Sequence, residues 1–185
     1  QLTDHDTTAG VAGAAEAGAE LGLEVVPGIE VSSSFRDHEI HILGLFVDTD
    51  SPSLQAALKE FRHHRDQRNQ EMLGRFDAHG IHLTAEDLCA GNPDTVITRA
   101  HVARALLAKG LGPDLDHIFK KYLQYGGIYC PPKEFLPPEA VMEALLDSHA
   151  FVALAHPFQY KLGDKATEEL IAYLAGLGMK GLEVY

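Results

Sequence analysis

A chain of 185 residues that is 45% hydrophobic and 23% charged can bury one good core, or one core with a small appended lobe. Its formal charge of −12 argues against a general phosphate-backbone-binding surface, which needs clustered Lys and Arg, so any anionic substrate must be held by a local site and extended duplex binding is not expected. Cys89 and Cys130 form neither a CxxC pair nor a disulfide framework, and there is no apolar run of membrane-spanning length and no basic-then-apolar leader; a cytoplasmic chain without a membrane span is expected.

In chain order, Gln1 to Thr3 reads as part of a strand, and Thr8 to Leu21 as an Ala- and Gly-rich helix closed by Gly22. Leu23 to Val26 reads as a short strand punctuated by Pro27-Gly28. Ile29 to Ser33 continues extended, and Glu39 to Val47 alternates and then runs apolar as a buried strand does. From Ser51 to about Leu123 the pattern is helical. Leu54, Leu58, Phe61, Met72, Leu73 and Phe76 mark one long amphipathic helix that ends near Gly80, and shorter helices open after Thr84, Thr98 and Pro113. Helix from Pro138 to Ser148, strand from Phe151 to Ala155, helix from Thr167 to Leu177 and strand from Leu182 to Tyr185 complete the chain. Strand and helix alternate at both ends, which predicts an α/β core with largely parallel strands. Residues 1–60 and 137–185 form that core, and residues 61–136 a helical insertion.

Acid and histidine residues fall where strands give way to loops: Thr3-Asp4-His5-Asp6-Thr7, Gly28-Ile29-Glu30-Val31, His38-Glu39-Ile40-His41 and Ala155-His156-Pro157. Imidazole and carboxylate are the donors that borderline divalent metals take, so the set points to a metal-dependent hydrolase. Each position also has a plainer explanation. His5 could be a surface residue beside a helix-capping aspartate, and Glu30 could lie on the solvated face of an edge strand. His38 and His41 are three apart, so alternation sends them to opposite faces; His41, between Ile40 and Ile42, is the one expected in a site. His156 could equally be a satisfied core histidine. Thr98-Arg99-Ala100-His101 opens a helix, where free N–H groups, a guanidinium and an imidazole suit a phosphate, although Arg99 could instead make a surface ion pair. Lys133, after Pro131-Pro132, is a further candidate cation.

Taken together, Leu2-Thr3-Asp4-His5-Asp6-Thr7, Val26-Pro27-Gly28-Ile29-Glu30-Val31-Ser32, Glu39-Ile40-His41-Ile42-Leu43-Gly44 and Leu154-Ala155-His156-Pro157 resemble the PHP (polymerase and histidinol phosphatase) superfamily of metal-dependent phosphoesterases. The resemblance is closest to the branch of nucleoside 3′,5′-bisphosphate phosphatases and 5′-to-3′ exoribonucleases. It implies that His5, Glu30, His41 and His156 are metal ligands, with Glu30 and His156 central to catalysis, and that Arg99, His101 and Lys133 bind substrate phosphate. It also implies two or three divalent ions, manganese first, with magnesium, iron or zinc as alternatives. The implied fold is a distorted (β/α)₇ barrel with a helical insertion. The family's opening His-x-His and closing Asp-x-His motifs fall outside residues 1–185, so the chain is expected to be part of a larger enzyme and could be inactive at this length. The expected substrate is a nucleotide or short oligonucleotide: the 3′-phosphate of a nucleoside 3′,5′-bisphosphate, or the 5′ end of a short RNA. Two other readings stay open, a non-catalytic PHP-like structural or interaction module and a polymerase-associated proofreading phosphodiesterase.

Overall fold

The computed structural model describes residues 1–89 and 97–184, and its contacts divide the chain into two units, Gln1–Phe61 with Phe135–Tyr185, and Arg62–Glu134. The last residue of the expected closing strand, Tyr185, lies outside the described residues.

The first unit is mixed α/β. Helix α1 (Val11–Leu21) ends at Gly22, whose φ of 68° supplies the left-handed turn that the sequence reading assigned to it. Strands β1 (Gly28–Phe35) and β2 (His38–Leu45) pair antiparallel from Gly28↔Leu45 to Phe35↔His38. The connection between them is only Arg36-Asp37, both at positive φ (49° and 65°), a primed turn whose twist matches the strands it joins. Helix α2 (Pro52–Ala78) follows, and the division between the two units falls within it. After the second unit, α6 (Pro138–Asp147) leads into β3 (Phe151–Leu154), a short 3₁₀ turn (Pro157–Tyr160), α7 (Asp164–Gly176) and β4 (Gly181–Leu182). The sheet order is β1-β2-β3-β4. The pairing β2·β3 is antiparallel and β3·β4 parallel.

Two expectations are corrected here. The described sheet is mainly antiparallel: the two-residue Arg36-Asp37 connection can only reverse the chain at β1·β2, the long helical connection after β2 brings β3 back antiparallel as well, and β3·β4 is the one parallel strand pair of this sheet. Leu23 to Val26 is not a strand, because Leu23 N is spent on Gly18 O at 2.8 Å in capping α1. The N-terminal segment instead makes isolated parallel bridges, Leu2↔Pro27 and His5↔Glu30.

One face of the sheet carries the core. Ile29, Val31, Ile40, Ile42, Val152 and Leu154 point to it and are packed by apolar residues of α2, α6 and α7, among them Leu54, Leu58, Val141, Leu145, Leu170 and Leu174. Alternation then dedicates Glu30, Ser32, His41, Leu43, Ala153 and Ala155 to the opposite face.

The second unit is helical among its described residues. The latter part of α2, with α3 (Ala85–Cys89), α4 (Arg99–Ala108) and α5 (Leu115–Tyr122), encloses Met72, Phe76, Leu88, Val102, Leu106 and Ile118. Each of these helices begins where the capping signals placed it. Asp114, for example, accepts from His117 N at 2.8 Å to start α5. Among the described residues, no helix is long and apolar enough to cross a membrane.

Gly28 shows how tightly the first rung of β1 is built. A Cβ there would lie 3.0 Å from both Gly44 O and Leu2 O, backbone atoms that cannot swing away, and 2.8 Å from Thr3 Cγ2. Gly28→Ala is therefore expected to cost about 1–3 kcal/mol, read as a lower urea midpoint at unchanged m-value; an unchanged midpoint would show that the strand has room to relax.

Candidate metal centre

The site lies on the sheet face opposite the core. Glu30 comes from the middle of β1 and His41 from β2, and the parallel bridge His5↔Glu30 sets His5 beside the same carboxylate. The loop carrying His5 is pinned by Asp6, whose N donates to Glu30 O at 2.9 Å and whose carboxylate accepts from Ser32 N at 2.8 Å and Ser32 Oγ at 3.2 Å. His156 is the exception to alternation. His41 lies opposite Ala155, so a regular continuation of β3 would send the next side chain to the core face. His156 instead takes φ 27° and ψ 56°, a strained conformation for a residue with a Cβ, and its imidazole turns back onto the His41 face. Glu183 accepts from His156 N at 2.7 Å, and Pro157 starts the 3₁₀ turn immediately after, so the turn is held from both sides.

These placements bring the three expected imidazole ligands around the fourth, the Glu30 carboxylate. Glu30 Oε1 is 2.8 Å from His41 Nδ1 and 3.0 Å from His156 Nε2, and those two nitrogens are 3.0 Å apart. Glu30 Oε2 lies 3.7 Å from His5 Nε2. The side chains of Glu30, His41 and His156 are only 15%, 18% and 17% exposed, whereas His5 is 57% exposed. Ligand atoms of His5, Glu30 and His41 all lie within 4.8 Å of one another, the spacing of a possible metal group. His38 stays on the other side, exposed, with Nδ1 2.9 Å from Arg36 O.

The donor set fits a divalent ion. Neighbouring donors about 2.1 Å from a common octahedral ion are roughly 3.0 Å from each other, which is the mutual spacing of Oε1, Nδ1 and Nε2 here. His41 presents Nδ1 to this cluster and Nε2 to Glu39 Oε1 at 3.3 Å, the carboxylate–histidine arrangement that fixes the ring of a metal-binding imidazole. Burial works against a charged His41, but hydrogen bonding to Glu39 and the Glu30 and Glu39 charges outweigh it and hold its pKa above the usual value. The plainer explanations fail for two positions. Glu30 is not on a solvated face, and His156 is not a satisfied core histidine, since its buried Nδ1 has no hydrogen-bond partner among the described residues.

The candidate phosphate residues belong to the other unit. Arg99 Nη1 donates to Leu123 O at 3.0 Å, and its guanidinium stacks 3.7 Å from the centroid of Tyr125. No carboxylate pairs with it among the described residues. His101 Nδ1 accepts from Thr98 N at 3.1 Å and lies 2.9 Å from the Thr98 hydroxyl, closing the start of α4. Lys133 is half-buried on the irregular segment after Pro132. The sequence reading passed over Arg68, whose guanidinium lies 5.7 Å from the same Tyr125 ring. It also passed over Tyr160 and Glu183, which grip the backbone around His41 and His156. Arg68 had a signal, being the cation of α2 four residues before Met72, on the edge of its apolar stripe; a hydroxyl or carboxylate that bonds only backbone leaves no such trace.

A carboxylate with imidazoles beside both of its oxygens suits divalent metal ions, and comparison with known proteins gives the class: the chain belongs to a family of phosphoesterases. It is 30% identical over 187 residues to the phosphoribosyl 1,2-cyclic phosphate 1,2-diphosphodiesterase of Eggerthella lenta, covering 98% of this chain and 69% of that protein. It is also 35% identical to the 3′,5′-nucleoside bisphosphate phosphatase of Chromobacterium violaceum (99% of this chain, 65% of the relative) and 35% identical to the 5′-3′ exoribonuclease Rnm of Escherichia coli (94% and 60%). The chain thus spans under two thirds of the length of these last two relatives. No family model matches it. Among solved structures, an amidohydrolase from Chromobacterium violaceum with bound sulfate and no metal superposes with a TM-score of 0.85 at 34% identity, over 98% of this chain and 64% of that one. A candidate metal-dependent phosphoesterase from Bifidobacterium adolescentis gives 0.84 at 28% identity, over 99% and 65%.

Because Glu183 accepts from the amide of a strained residue, Glu183→Ala should lower stability by about 1–3 kcal/mol in chemical denaturation. A variant as stable as the parent would mean that the His156 turn is held by Pro157 and its packing alone.

Proposed function

We propose that this chain is a PHP-type metal-dependent phosphoesterase that hydrolyses a phosphate monoester or diester of a nucleotide. The favoured substrates are the 3′-phosphate of a nucleoside 3′,5′-bisphosphate and the 5′ end of a short RNA, as the names of the relatives suggest. The observation that carries this reading is the two-sided use of Glu30, with Oε1 against His41 and His156 and Oε2 toward His5. A carboxylate used in that way can bridge two ions, as two-metal phosphoesterase sites require. On this reading the sheet is part of a distorted (β/α)₇ barrel, with residues 1–60 and 137–185 as its core and 61–136 as the inserted domain.

His5, Glu30, His41 and His156 would hold divalent ions, manganese first and magnesium, iron or zinc as alternatives. Bound there, such ions activate water and offset charge on the phosphoryl oxygens. The chain's own residues do the rest. Glu30 keeps a fixed negative charge between the imidazoles, and Glu39 holds the His41 ring so that Nδ1 keeps its lone pair toward the site. Arg99, His101 and Lys133 orient the phosphate groups, and Arg68 joins them as the second guanidinium beside Tyr125. The net charge of −12 disfavours an extended duplex, whose binding depends on many phosphate contacts, and favours a mononucleotide or a short single strand.

The test is manganese-dependent phosphate release from adenosine 3′,5′-bisphosphate, and of mononucleotide from a short 5′-phosphorylated RNA. His156→Ala should abolish release, and Glu30→Gln should lower kcat by more than the roughly 100-fold that loss of an outer contact costs. Arg99→Ala should raise KM about 10- to 100-fold with a smaller effect on kcat, the size of a lost charge-assisted contact. Turnover that survives Glu30→Gln would remove it from the bridging role. A chain that binds manganese yet releases nothing from either substrate would instead fit a non-catalytic PHP-like module.

A further inference from the structure

The β2·β3 ladder contains an irregularity beside the metal centre. Its register, Ile42↔Leu154, continues to His41 opposite Ala155, and Ala155 N does donate to His41 O at 3.0 Å. In an antiparallel sheet such a pair exchanges two hydrogen bonds, so His41 N should donate to Ala155 O. It does not. The Tyr160 hydroxyl occupies that place, accepting from His41 N at 2.9 Å and donating to Ala155 O at 2.7 Å. One bond of the rung has become two bonds through an inserted oxygen. The residue that does this is fixed by the 3₁₀ turn Pro157–Tyr160, which starts directly after His156, and its ring lies edge-on to the His156 imidazole at 5.3 Å.

We propose that Tyr160 is a positioning residue of the metal centre, whose hydroxyl, wedged into the rung between His41 and Ala155, sets the separation at which the His41 and His156 nitrogens meet Glu30. The inference rests on the reading of these residues as metal ligands and adds a residue to it. His41 and the peptide that leads into His156 are the two backbone groups the hydroxyl joins. Without it the rung can close directly, which draws Ala155 toward His41 and moves the start of the His156 turn. Its partner atoms are backbone, so the side chain touches neither the carboxylate nor a substrate and acts only through the ligands.

Tyr160→Phe removes the oxygen and keeps the ring. Isothermal titration of the 185-residue chain with manganese, at a temperature where circular dichroism shows both forms folded, should give an affinity 10- to 100-fold weaker for the variant. Placing 4-aminophenylalanine at position 160 restores a donor and an acceptor at the same point and should return most of the affinity, even should Tyr160→Phe prove too unstable to titrate. A Phe variant that binds within twofold of the parent overturns the proposal. So does a weakened variant that the amino group fails to rescue, because ring packing would then be the cause. If the parent chain itself binds no manganese, it is the metal-centre reading that falls; if the parent binds and the variants match it, only the role of Tyr160 does.

Discussion

A carboxylate taken out of water is stable only beside groups that answer its charge, and the placement of Glu30 in β1 makes this the constraint around which the first unit is organised. Strand alternation gives Ile29 and Val31 to the helix-packed face, which leaves Glu30 no choice but the other one. There it is met by His5 through a parallel bridge, by His41 across the hairpin and by His156 from the end of β3. The same period of two therefore builds the core and the site. A register slip of one residue in β1·β2 would exchange them, burying Glu30 among isoleucines and delivering Ile29 to the imidazoles.

Regular strands alone could not assemble this constellation, because β3 approaches with the wrong parity. The chain resolves the conflict at His156 with a strained backbone that costs on the order of 1–3 kcal/mol. Several separate contacts offset that cost: the Glu183 carboxylate on His156 N, the fixed φ of Pro157, and the Tyr160 hydroxyl between His41 and Ala155. Strain and its supports lie in six consecutive residues, 155–160, plus one acceptor from the end of the chain. The hairpin side of the site, by contrast, contains only regular geometry, with the Arg36-Asp37 turn far from the ligands along both strands.

Much of the secondary structure was legible in the sequence, for identifiable reasons. Gly22 ended α1, Ser51-Pro52 began α2, and Leu54, Leu58 and Phe61 faced a core, because capping and apolar periodicity are local signals. The strand directions were not legible. Arg36-Asp37 lacks the Asn-Gly or Asp-Gly signature of a primed turn, so nothing in the segment announced a hairpin, and the alternation of strand and helix elsewhere suggested parallel pairing. Leu23 to Val26 looked like a strand because apolar composition does not show that a backbone amide is already spent on a helix cap. At the site, His5, Glu30, His41 and His156 each had a chemically meaningful side chain, and His41 could be told from His38 by parity alone. Tyr160, Glu183 and Asp6 escaped notice because they act on main-chain atoms whose positions exist only once the fold does.

The sheet that holds the site is discontinuous in the chain: β2 ends at Leu45, and its partner β3 begins at Phe151. During synthesis the β1·β2 hairpin therefore emerges with Ile29, Val31, Ile40 and Ile42 uncovered, and waits while about a hundred further residues are added, roughly 5–20 s at ordinary ribosomal speeds. Within that interval the helices of the second unit, which carry a hydrophobic core of their own, are complete before the first unit can close. The unit that carries the candidate metal centre therefore closes last, although its first strands are made first. An exposed hairpin of this kind is a natural client for a chaperone that recognises short apolar strands, and mutations that delay β3 would be felt first as lost yield rather than as lost turnover.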